Sequence, residues 1–156
     1  MVRLYAEAFS PNSPRWMQGS KELVQTESED DVVVGLSEHI RESLVSEDHL
    51  IIWGSGGTLR AIGKNNGFEL TTLGIDATMG SEQVGTDLDE SGILSILRSH
   101  EGPTTLLLSP MGGQGFLIGR GNLQLSPAVL ESIGIENILG VLTPAKLLTV
   151  RKLRIE

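Results

Sequence analysis

Apolar residues recur along this chain in two rhythms, one helical and one continuous. Val33, Leu36, Ile40 and Leu44 return at helical spacing, with Ser37, Glu38, Arg41 and Glu42 opposite, which predicts an amphipathic helix over about 30–46. Asp30 and Asp31 fall in its first turn, where the helix dipole favours negative charge. Leu50-Ile51-Ile52-Trp53 is an unbroken apolar run and predicts a short strand buried on both faces. Gly54-Ser55-Gly56-Gly57-Thr58 interrupts it, and Leu59 to Gly63 then reads as a short helix ended by glycine. Leu70 to Ile75 predicts a second strand with Asp76 at its end, and Val84 to Asp89 a short strand or loop.

Farther on, Ile93, Leu94 and Leu97 share one face of a helix from Glu90 to His100, and Pro103 precedes a strand over Thr104–Leu108. Ser126-Pro127 is a strong helix start, a capping serine before proline, for a helix to Ile133 that stops at Gly134. Ile138 to Leu142 reads as a further buried strand, Pro144 to Leu148 as a short helix, and Leu153 and Ile155 as a last strand. At the start, residues 3–9 alternate loosely like an edge strand, Pro11 to Pro14 break regularity, and 25–31 are a polar lead-in. Strands alternating with helices imply an α/β fold, a Rossmann-like three-layer sandwich. Its sheet is expected to be mostly parallel, with glycine-rich loops at the carboxyl ends of strands.

Length and charge narrow the function. At 156 residues the chain fits one domain able to bury a core without staples. No cysteine is present, which removes disulfides, thiolate chemistry and Cys-ligated zinc. A net charge of −8 argues against a basic nucleic-acid face, and only six aromatic residues argue against base stacking. No run is apolar for the roughly 18 residues a membrane helix needs, and no secretory pattern opens the chain. A cytoplasmic protein is the expectation.

Candidate chemistry centres on Ser109 to Pro127, which holds Gly112, Gly113, Gly115, Gly119 and Gly121 directly after Leu106-Leu107-Leu108. Glycine lets a backbone approach a ligand closely, and the carboxyl ends of strands are where α/β sheets bind ligands. Gln114, Arg120, Asn122 and Gln124 add one fixed charge and three amides, a set suited to a phosphate or polar heterocycle. The second candidate is Gly54, Ser55, Gly56, Gly57 and Thr58, where a helix N-terminus would present unpaired N–H groups to an anion and Arg60 would reach back. It is not a P-loop, because the spacing and lysine of that motif are absent. If the two preceding strands are neighbours, both loops face one crevice. The competing reading of Gly54–Thr58 is a tight turn that merely needs glycine, and that of Arg120, otherwise a charge clamp, is a surface salt bridge. Asp76, and less well Asp87, is a weak catalytic candidate: a carboxylate to hold a ribose hydroxyl or magnesium, or to act as a base. A cap or turn former explains each equally well. His39, His49 and His100 do not cluster in sequence and read as surface residues, and Lys21 is a possible anion contact.

The runs I-I-W-G-S-G-G-T-L-R-A-I, L-G-I-D-A-T, L-L-S-P-M-G-G-Q-G-F-L-I-G-R-G-N-L-Q-L-S-P and N-I-L-G-V-L-T-P-A-K-L together resemble the C-terminal half of the predicted ATP-NAD kinase family. The resemblance covers about Leu4 to Leu148, and M-Q-G-S-K-E near the start fits it. It implies a longer parent whose N-terminal domain carries a Gly-Gly-Asp-Gly-Thr motif that is not in this chain. That domain would be the partner, ATP or polyphosphate and NAD the ligands, with Mg2+ a further candidate. On this reading the present part binds nucleotide without being catalytically complete, and a homo-oligomer is left open. Two alternatives stand beside it. The Gly-Ser-Gly-x-Thr loop also resembles the phosphate loop of ribose-5-phosphate and glucosamine-6-phosphate isomerase folds, with Asp76 or Asp87 as base. The other alternative is a non-catalytic module that senses a nucleotide or dimerises.

Overall fold

A computed structural model of the chain describes residues 29–110, 115–150 and 152–155. The predicted strand over residues 3–9 lies outside them. Strand β1 (Leu50–Trp53) is buried at all four positions and sits at the centre of a five-stranded sheet. On one side it pairs in parallel with β4 (Thr104–Leu108), which pairs in parallel with β6 (Ile138–Gly140). On the other it pairs antiparallel with β2 (Asp76–Met79), which turns back into β3 (Glu82–Gly85). The order is β3-β2-β1-β4-β6; β1, β3, β4 and β6 point one way and β2 the other. The sheet is therefore mostly parallel in direction, as expected, but an antiparallel hairpin replaces one helical crossover of the anticipated Rossmann-like winding.

Alternation along the strands divides the core in two. Leu50, Ile52, Leu106 and Leu108 face one layer, with Ile93 of α3 (Glu90–Ser99) and Val129 and Ile133 of α4 (Pro127–Ile133). Ile51, Trp53 and Leu107 face the other, with Ile40 of α1 (Glu29–Leu44) and Leu59 and Ile62 of α2 (Gly57–Asn65). Helices thus cover both faces of the sheet, an α/β sandwich. The buried indole Nε1–H of Trp53 donates to Thr78 Oγ1 at 2.8 Å, tying β1 to β2 across the second layer.

Several predicted elements are corrected. Leu70 to Ile75 is a loop, not a strand: Leu70 and Ile75 are buried anchors, but Leu73 is 81% exposed. The Asp76 carboxylate bends that loop back by accepting from Thr71 N and Thr71 Oγ1, so Asp76 opens β2 rather than closing a strand. Gly63 does not end α2; a Cβ there would strike Leu70, so its glycine reflects close packing and the helix runs on to Asn65. β6 is an edge strand with Leu139 45% exposed, where a buried strand was expected. Finally, the long glycine loop contains a short strand, β5 (Phe116–Ile118), paired in parallel with β7 (Arg154–Ile155), and α5 (Pro144–Thr149) lies between β6 and β7.

Replacing Trp53 by phenylalanine strands the buried Thr78 hydroxyl, and W53F should lose about 1–3 kcal/mol of stability in urea denaturation. Adding T78V should restore part of that loss, because removing both partners leaves nothing unpaired.

Candidate functional site

The sheet changes its direction of winding at β1: the chain moves outward through β2 and β3, then returns to add β4 and β6 on the other side. Crevices at the carboxyl end of such a switch point are where open α/β sheets bind ligands. The β1–β4 register, with Trp53 opposite Leu107, brings the two glycine loops to this one edge. Gly54 N donates to Leu107 O at 2.8 Å, and Val141 N, just after β6, donates to Leu108 O at 2.7 Å. A Cβ on Gly54 would stand 2.9 Å from the Leu107 carbonyl, so this glycine is demanded by the neighbouring strand.

The turn from β1 into α2 is held by its own chain. Gly56 has φ 123, a conformation side chains avoid, and its N–H donates to Thr72 O at 2.9 Å. Thr72 is in turn held in place through Thr71. Asp76, 1% exposed, accepts from Thr71 N at 2.7 Å, from Thr71 Oγ1 at 2.8 Å and from Asp87 N at 2.9 Å. The weak catalytic candidate Asp76 is therefore a positioning residue that shapes the loop against Gly56, with both oxygens engaged. Asp87 sits in an exposed turn at φ 49.

What remains open at this turn is the start of α2. Its cap residue Gly56 makes no side-chain bond to the helix, and its first turn has no acid. By contrast Asp89, Ser126 and Thr143 cap α3, α4 and α5 with side-chain oxygens. The N–H groups of Gly57, Thr58 and Leu59 thus begin a helix with no carbonyl of that helix to receive them. Gly57 is exposed, has no positive φ, and a Cβ there would meet nothing within 4 Å. The fold itself gives no reason for glycine at this position. Ser55 is buried and partnered, Thr58 is half-buried, and Arg60 is exposed one turn into the helix.

The second loop leaves β4 at Ser109 and Pro110, both buried. Gly112, Gly113 and Gln114 of the expected site lie outside the described residues, as does Lys21. Gly115 has φ 78 and a Cβ there would strike the Lys152 carbonyl, so the β5–β7 pairing accounts for it. Asn122 was the amide offered to a ligand, but it is buried and closes its own turn. Its Oδ1 accepts from Gly119 N at 2.8 Å and its Nδ2 donates to Leu117 O at 2.8 Å. Arg120 projects from that turn, exposed.

Sequence reasoning overlooked Lys146. On α5, its Nζ donates to Ser109 Oγ at 2.9 Å and to Pro110 O at 3.4 Å, directly at the end of β4. Burial pushes its ammonium below the usual lysine range, with Glu29 opposing that shift. The signal was a lysine one turn into a helix that Thr143-Pro144 caps just after a parallel strand.

A second cleft, about 350 Å³, lies at the opposite, amino end of these strands between α3, α4 and β4. His49 and His100 both line it, although neither was expected to leave the surface or to meet the other. Burial lowers the His49 imidazole, Asp48 raises it and His100 lowers it further; its Nε2 lies 2.9 Å from Thr105 Oγ1. Among the described residues no group of three or more histidine or acidic side chains is placed to hold a metal. No helix of the described residues is long and apolar enough to cross a membrane.

D76A should cost about 3 kcal/mol in urea denaturation, since three donors lose a charged acceptor. It should also speed amide exchange at Gly56 by freeing Thr71 and Thr72. Unchanged Gly56 exchange would contradict the positioning role.

Residues 16–152 match the family model described as the ATP-NAD kinase C-terminal domain. No curated protein and no solved structure matches the chain. The family match spans nearly all of the 156 residues, including both loops at the switch point, and the chain belongs to the ATP-NAD kinase C-terminal domain family.

Proposed function

We propose that this chain is the nucleotide-binding part of an ATP-NAD kinase and holds phosphate groups of its ligand at the carboxyl end of β1 and β4. ATP and NAD are the ligands its family description names. The observation that carries the reading is the uncapped start of α2. Unpaired N–H groups at the positive end of a helix attract anions, and a phosphate there replaces the missing cap. Gly57 leaves the approach clear where packing has no need of glycine. Arg60, one turn in, is free of any role in the core and near enough in sequence to fold back on the same anion.

On this reading the base that activates the NAD hydroxyl comes from a partner domain, and ATP or polyphosphate serves as donor. Among the described residues Asp76, the carboxylate offered as a base, is buried with both oxygens engaged, which supports a base supplied from elsewhere. The same engagement of Asp76 removes the main support for a sugar-phosphate isomerase, which requires a carboxylate facing its substrate.

A thermal-shift panel of NAD, NADP, ATP, polyphosphate and sugar phosphates separates these readings, because a bound ligand raises the melting temperature by mass action. Nucleotides should stabilise the wild-type chain and sugar phosphates should not. G57A should fold as well as wild type or better, since alanine favours a helix by up to about 1 kcal/mol over glycine. It should nonetheless bind ATP or NAD roughly tenfold less tightly, as a methyl group obstructs the N–H groups. G57A with wild-type affinity would contradict the site.

A further inference from the structure

We infer that Lys146 and Ser109 form the cationic half of this mouth and receive a phosphate or polyphosphate group of the ligand directly. The inference rests on the proposed nucleotide reading and names the charge that the reading otherwise lacks. Three observations carry it. First, Lys146 Nζ is anchored at the end of β4, 2.9 Å from the Ser109 hydroxyl and 3.4 Å from the Pro110 carbonyl. An ammonium has three donors, and among the described residues only these two are engaged. The third is left for a ligand.

Second, both partners are neutral. Withdrawing an ammonium from water against a hydroxyl and a carbonyl costs free energy that a paired anion would recover. Glu29, at the start of α1, is the charged group that faces Lys146, and it acts on the ammonium through space. Among the described residues the fold therefore holds a partly desolvated cation at the sheet edge without a bonded counter-charge. Third, the placement is the right one. Ser109 follows Leu108, whose carbonyl accepts from Val141 N, while the adjoining Leu107 carbonyl accepts from Gly54 N at the root of the other loop. Lys146 thus stands at the end of β4, beside the end of β1 from which the α2 turn departs.

Ser109 has a double part. Its buried hydroxyl accepts from Lys146 and keeps its own hydrogen to donate, so the pair presents two donors side by side. Lysine suits this duty as a compact point charge anchored at the strand end, whereas Arg60 and Arg120 are exposed.

The test is isothermal titration of the whole chain with inorganic tripolyphosphate and with ATP. K146M should weaken both by on the order of tenfold or more, and S109A should weaken both by a smaller factor. Wild-type affinity should fall as pH rises toward the lysine range, because the ammonium must be charged to bind the anion and burial brings its titration lower. K146R stays charged throughout and should lose that pH dependence, a readout that does not need K146M to fold well. If wild type binds and K146M matches it within about twofold, or if K146R keeps the wild-type pH profile, the role of Lys146 is overturned while the nucleotide reading stands. If wild type binds neither probe, the nucleotide reading falls and this inference with it.

Discussion

The parallel pairing of β1 with β4 is the constraint on which the rest of the molecule depends. It sets Trp53 beside Leu107 and so launches two glycine-bearing loops from one edge of the sheet. It also requires Gly54, because the β4 backbone passes too close for any side chain there. The helices on either face complete the arrangement: α2 leaves β1 on one side, while α3 brings the chain into β4 on the other. The switch point, where α/β sheets commonly bind ligands, follows from the winding and not from any single side chain.

Around that switch point the chain holds some groups firmly and leaves others open. Asp76 grips Thr71, Thr72 receives the Gly56 N–H, and the turn into α2 is thereby rigid before any ligand arrives. Beyond Gly56 the holding stops, and α2 begins with neither a side-chain cap nor an acid. Glycine at the cap position forgoes roughly a few tenths of a kcal/mol against serine or asparagine, a small local cost that an anion would offset on the proposed reading. The buried carboxylate and the helix start are complementary: one keeps the loop in shape and the other presents donors that no carbonyl of α2 receives.

How much of this was legible depends on whether the signal was local. β1, β4, α3 and α4 were readable because continuous apolar runs, a 3.6-residue stripe and the Ser126-Pro127 cap each act within a few residues. Leu70 to Ile75 misled because Leu70 and Ile75 are core residues on a loop, and the Asp76 contacts that bend it are tertiary. β5 was hidden because its partner, β7, comes more than thirty residues later. Asn122 looked like a ligand amide because its composition is right, yet both its polar atoms close a turn. Lys146 escaped notice because its meaning lies in Ser109, 37 residues away. The turn at Gly54–Thr58 was read as an anion site from glycine and helix spacing; which of its glycines the backbone requires is visible only in three dimensions.

Backbone amide resonances report most directly on the claim that the open start of α2 holds an anion. In a 15N-labelled chain titrated with ATP, the Gly57, Thr58 and Leu59 amides should shift first and furthest. Amides of the amino-end cleft, such as Thr105 and Asn137, should stay in place. Shifts concentrated at that cleft, with Gly57 to Leu59 unmoved, would contradict the account.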